Sequence, residues 1–195
     1  GMHVTSNSYG SSAGAVALET ALNAAVDAGI LMIFAAGNNG VSVLYPAKYA
    51  KAIAVSATDE NDVIASFSSR GPEVMVAAPG VNVESTILNG LYGFKSGTSM
   101  ACPHVAGACA LALSMGFTAS EVRTRLTTTS VDKGAPGRDP LYGFGRLDAY
   151  ELVFREGTAV PNYFSPITVD GSTSVDPDGQ IVNYSYTYST GQQAS

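Results

Sequence analysis

The sequence predicts an α/β protein, a mostly parallel sheet with helices on both faces, followed by a short C-terminal β extension. Three observations predict it. A strand-like segment, a helix-like segment and a continuous apolar segment succeed one another within residues 4–36, the order of a βαβ unit. The runs "ILMIFAA" (30–36) and "AIAVSAT" (52–58) are unbroken rather than alternating, as strands covered on two faces are. Hydrophobic residues are 46% of the 195 and charged residues 13%, a composition that builds a core.

Taken in order, "VTSNS" (4–8) reads as the first strand. "AGAVALETALNAAVDAG" (13–29) sets Val16, Leu18, Leu22 and Val26 among alanines and stops at Gly29, so it reads as a helix. "ILMIFAA" is the next strand and is too short to span a bilayer. "AIAVSAT" and "VMVAA" (74–78) supply further strands. Residues 99–115 are mostly Ala, Gly, Val, Leu, Met and Cys, with His104 as the one strongly polar side chain. A helix apolar on all sides belongs in the middle of a domain. Thr118 and Glu121 stand at capping-box spacing and start another helix. "YGFGRLDAYELV" (142–153) gives a turn and a last helix. The main domain therefore covers 4–155. A Pro-, Gly- and Ser-rich linker fills 156–166. Residues 167–195, with the alternating "IVNYSYTY" (181–188), read as the start of a β-sandwich-like repeat or an edge extension.

Composition excludes some functions. A net charge of −6 does not suit a surface that grips nucleic-acid phosphates. Cys102 and Cys109 lie seven apart on one helix, roughly 10 Å between Cα atoms, beyond disulfide reach, and read as small buried hydrophobes. No CxxC or His/Cys cluster suggests a metal, and no cofactor is required. Asp176, Asp178 and Gly179 fit calcium-loop positions, but Ser174 and Ser185 stand where carboxylates are needed, so an acidic turn is the better reading.

Two stretches could carry chemistry. In "SGTSMACPHVAGACALALS" (96–114), Ser99 follows Gly97 at the start of the apolar helix. The free amides there can receive a developing oxyanion, although a serine helix cap would look the same. In "FAAGNNG" (34–40), Asn38 sits at the carboxyl end of a parallel strand, where open sheets bind ligands. A turn asparagine is the plainer account of Asn38 alone. A phosphate loop is disfavoured, because the stretch has neither G-x-G-x-x-G nor GK[ST].

Together these stretches carry a resemblance. "GTSMACPHVAG" and "AAGNNG" resemble the serine box and the oxyanion-asparagine loop of the subtilisin-like serine proteases. "NSYG", "YPAKY", "IAVSATD", "ASFSSRGP", "APGVNVEST" and "YGFGRLDAYELV" are similar to further segments of that family, over about residues 4–155. The resemblance implies a serine endopeptidase with Ser99 as nucleophile and Asn38 as oxyanion donor. It implies that Ser8, Tyr9 and Gly10 form one rim of the substrate cleft as an edge strand. Ala35, Ala36 and Gly37 would line the other side of the primary specificity pocket, with Asn39 and Leu44 reaching it. It also implies peptide or protein substrates and a secreted or cell-surface location, and it is compatible with bound calcium. The tail "TVDGSTSVDPDGQIVNYSYTY" (168–188) resembles the opening of a polycystic-kidney-disease-type immunoglobulin-like repeat.

The departure from the family is the base. Subtilisins order their triad Asp, His, Ser, so both partners should precede Ser99. His3 lacks the glycine-flanked setting of the catalytic histidine. His104, which the resemblance makes structural, lies five residues after Ser99, about 140° away around the helix. The expectation is the C-terminal portion of a protease domain, inactive alone and partnered by the missing N-terminal portion. Exposed sheet edges would favour self-association. The alternative is a degenerate, non-catalytic peptide-binding or surface scaffold.

Overall fold

The computed structural model describes residues 1–154; the expected linker and β extension lie outside the described residues. β1 (Val4–Asn7), α1 (Val16–Asp27) and β2 (Leu31–Ala35) form the expected βαβ unit. β3 (Ile53–Thr58) and β4 (Val74–Pro79) add in turn, giving one parallel sheet in the order β1-β2-β3-β4. Val4 lies beside Leu31 and Ile33 beside Ile53.

Side-chain alternation sorts the core into two layers. Ile33, Ala35, Ile53, Val55 and Ala57 pack on Ala101, Val105, Cys109, Leu126 and Leu152. Those partners belong to α2 (Thr98–Ser114), α3 (Ala119–Thr129) and α4 (Ala149–Phe154). Phe34, Ala36, Ala54 and Val74 turn the other way, onto Leu22 of α1 and onto Val43 and Ala47. Both faces are covered, which is why these strands read as unbroken apolar runs. The capping box is present: Glu121 N–H donates to Thr118 Oγ1, and Thr118 N–H donates to Glu121 Oε2 at 2.7 Å.

Two features differ from the expectation. β5 (Val83–Ile87) and β6 (Leu91–Lys95) form an antiparallel hairpin that hydrophobic patterning does not announce. Most of its side chains are exposed, so no core-facing alternation exists to be read. Its turn passes through Asn89 and Gly90 at φ of 66° and 70°, and an Asn-Gly pair is the hairpin signal that could have found it. The second difference is α2, which is not buried all round. Pro103, His104, Gly107, Ala110 and Leu111 are exposed along one stripe. α2 packs over β1, the edge of the sheet, and no described element covers the helix beyond that edge.

Candidate active site

The end of β2 and the start of α2 meet at the carboxyl end of the sheet. Gly97 has φ +155°, a conformation open mainly to glycine. α2 then begins at Thr98, with Ser99 as its second residue. Met100 N–H donates back to Gly97 O at 3.0 Å. Thr98 N–H donates to Asn38 Oδ1 at 2.8 Å. The N–H of Ser99 has no acceptor among the described residues.

Thr98 ties the two elements together. Its buried hydroxyl accepts from Gly37 N–H at 3.1 Å and donates to Asn38 Oδ1 at 2.9 Å. Two donors on one atom identify it as the amide oxygen and leave Nδ2 as the outward donor. A Cβ placed on Gly97 would lie 3.3 Å from Asn38 Nδ2 and 3.6 Å from Ser99 N. Both amide donors therefore flank one small space above Gly97. The dipole of α2 adds partial positive charge at its start.

The other segments that the resemblance places around a substrate lie on two sides of the α2 start. Ser8 Oγ donates to Ser99 O at 2.9 Å, joining one rim to the helix start. Ser8, Tyr9 and Gly10 are exposed and lie beyond β1, which ends at Asn7. They form an irregular segment rather than the expected edge strand, and pairing resumes only at Ser11 with Tyr45. At the strand's end the Asn7 side-chain amide donates to Ile33 O at 2.9 Å. Across the cleft Ala35 and Ala36 are buried, and Gly37, at φ +116°, is half-buried. Leu44 N–H donates to Ala36 O at 2.8 Å, and its side chain lies between Gly10 and Gly37. Asn39 does not project in the same way, because its Oδ1 accepts from Ser69 Oγ at 2.8 Å and from Val41 N–H. Sequence reasoning passed over Thr98, whose only signal was its place beside Ser99.

Behind the serine, Cys102 Sγ lies 3.6 Å from Ile33 O and 3.7 Å from Asn7 O. Burial pushes its thiol pKa up, against smaller opposing effects from Ser6 and Asn7. Neither histidine is hydrogen-bonded to Ser99. His104 Nδ1 sits 2.8 Å from Met100 O on the exposed stripe of α2. His3 precedes β1, roughly 16 Å of extended chain from Ser8. The aspartates are engaged elsewhere: Asp59 caps Asn61 and Val63 N–H groups, and Asp62 pairs with Lys133 and Arg146. Among the described residues no three His, Cys, Asp or Glu side chains gather into a metal site.

Comparison with known proteins gives the family. The model of the subtilase family matches residues 1–145. The chain belongs to the subtilase family. It is 47% identical over 151 residues to a thermostable alkaline protease of Halalkalibacterium halodurans, covering 76% of this chain and 41% of that protein. It is 45% identical over 152 residues to Subtilisin BL of Lederbergia lenta, covering 76% of this chain and 55% of that protein. Subtilisin Savinase, from the same organism, gives the same figures. The chain thus matches about half the length of these subtilases. Among the described residues no helix is long and apolar enough to cross a membrane.

Proposed function

We propose that this chain carries the nucleophile and oxyanion site of a subtilisin-type serine endopeptidase. The observation that carries the reading is the pair of donors, Asn38 Nδ2 and Ser99 N–H, flanking one space above Gly97, two residues before Ser99 in the chain. In the reaction Ser99 Oγ attacks the scissile carbonyl carbon. The carbonyl oxygen takes the negative charge between the two donors, and expulsion of the amine leaves an acyl-enzyme on Ser99. The Oγ proton needs an acceptor, which then passes it to the departing amine nitrogen. We assign that acceptor to the family's upstream segment, the partner that completes this cleft, and we expect the chain alone to be inactive. The substrates are peptides or proteins, met outside the cell or at its surface.

The lack of a histidine bonded to Ser99 favours a second reading, a non-catalytic peptide-binding scaffold. One experiment separates them. The chain is co-expressed with the native upstream segment and treated with a serine-directed fluorophosphonate. Labelling at Ser99 only in the combined sample supports the protease. Labelling in neither sample supports the scaffold.

A further inference from the structure

We propose that Leu44 closes the pocket for the residue preceding the scissile bond, so that the cleft selects peptides with an alanine-sized side chain there. The proposal rests on the protease reading above and deepens it to a substrate class. Residues 44 and 45 are laced to both walls of the cleft. On one side Leu44 N–H donates to Ala36 O at 2.8 Å. On the other, Tyr45 and Ser11 exchange both backbone hydrogen bonds, at 2.8 and 2.9 Å. This segment is the floor that joins the walls.

The leucine side chain rises from that floor. A Cβ placed on Gly37 would come within 2.8 Å of Leu44 Cγ and 2.9 Å of Cδ1. A Cβ placed on Gly10 would come within 3.0 Å of Leu44 Cβ and 3.3 Å of Cδ1. The isobutyl group therefore fills the gap between the two glycines, and each wall lacks a side chain where the leucine lies. Behind Gly37 the gap is closed again by Ser69 Oγ, 2.8 Å from the same Cβ position. Ser69 is held there by its hydrogen bond to Asn39.

A substrate must present its carbonyl carbon to Ser99 Oγ and its carbonyl oxygen to Asn38, the neighbour of Gly37. The side chain on the acyl side of that carbonyl is then directed between the Ser8–Gly10 and Ala35–Gly37 walls. Leu44 already occupies the deeper part of that space and is only partly exposed. An alanine methyl fits above it. A phenylalanine ring meets packed atoms, and forcing extra volume into a filled site is costly.

The test needs no turnover. Acetylated tetrapeptides Ala-Ala-Ala-X with a free carboxylate, X being Gly, Ala, Val, Leu or Phe, are titrated into the isotope-labelled full chain. Nuclear magnetic resonance follows the amides of Gly10 and Gly37 and the Asn38 side-chain amide. The expected result is that X = Ala binds about tenfold or more tightly than X = Phe, and that Leu44→Ala reverses the order. The ladder on the unmodified chain decides the matter even if that variant fails to fold. Binding of X = Phe as tightly as X = Ala, with the Asn38 amide shifted, overturns the proposal and leaves the protease reading standing. If no peptide moves the Asn38 amide, the protease cleft itself is refuted, and the role of Leu44 with it.

Discussion

Replacing Thr98 by valine removes a hydroxyl and keeps the shape of the side chain. That hydroxyl is fully buried and makes two hydrogen bonds, from Gly37 N–H at 3.1 Å and to Asn38 Oδ1 at 2.9 Å. With valine, Gly37 N–H faces a methyl group, and an orphaned donor costs about 1–3 kcal/mol. Asn38 loses less, because its Oδ1 keeps the Thr98 N–H at 2.8 Å and the residue is exposed to water. The expected loss is about 2 kcal/mol. Thr98→Ser is the control: it keeps both hydrogen bonds and removes one buried methyl, about 1 kcal/mol. A site stabilised by hydrogen bonds therefore ranks valine below serine, and a site stabilised by packing alone ranks them the other way. Urea unfolding followed by circular dichroism measures the order. Amide exchange at Gly37 and the Asn38 side-chain resonances report the geometry. A valine variant no less stable than the serine variant, with Gly37 as protected as before, would refute the reasoning.

Other consequences follow from the same structure. Asp62 is held below the usual carboxylate value of 3.8, chiefly by the Lys133 hydrogen bond and also by the charges of Arg146 and Lys133. A depressed carboxyl stabilises above its unfolded pKa and loses that contribution as pH falls through the folded one. Asp62→Asn should thus lower stability near neutral pH and flatten the acid limb of a stability-against-pH curve, measured by urea titration at each pH. Burial pushes the Cys109 thiol up to about 12, so iodoacetamide should modify it only in denaturant, as read by mass spectrometry. Asp139, buried in the loop before α4, accepts from Leu141, Tyr142 and Ala135 N–H at 2.7, 2.8 and 3.2 Å. Asp139→Ala should cost about 3 kcal/mol. Calorimetry should show that as a fall in Tm of about 6–12 °C.

Much of this fold was legible because its determinants are local. The run 30–36 announces β2, Gly29 ends α1, and the Thr118–Glu121 pair caps α3. The hairpin was not legible from hydrophobicity, because exposed strands carry no periodicity imposed by a core, and only Asn89–Gly90 betrayed it. The exposed stripe of α2 was illegible for the opposite reason. Its residues are those of a buried helix, and only the position of β1 at the sheet edge shows which face is bare. At the site, Ser99 and Asn38 stand out through the family resemblance of their two segments taken together, since each alone also reads as a helix cap or a turn residue. Thr98 does not. Its contacts with Gly37 and Asn38 join segments distant in sequence and form only when the sheet does, whereas Leu44 was expected at the pocket and only its seat between Gly10 and Gly37 had to come from the fold.

The position of Ser99 is fixed by three strands at once. β2 holds the start of α2 through Asn38 and Thr98. β3 holds it through a relay in which Gly80 N–H donates to Thr58 O at 2.9 Å and Gly97 N–H donates to Gly80 O at 2.7 Å. Gly80 permits that relay, since a Cβ there would lie 2.6 Å from Ala57 Cβ and 2.8 Å from Gly97 O. The β1 side holds it through Ser8, which bonds Ser99 O, and through Cys102 beneath Asn7. None of these links involves a histidine or an aspartate of a triad. The two amide groups are therefore held by the sheet itself, and on the proposed reading that is the preorganisation that electrostatic stabilisation of an oxyanion requires. On that reading, occupancy of the site and turnover are separable: a carboxylate-ended peptide would need only the two donors, whereas hydrolysis would need a proton acceptor as well.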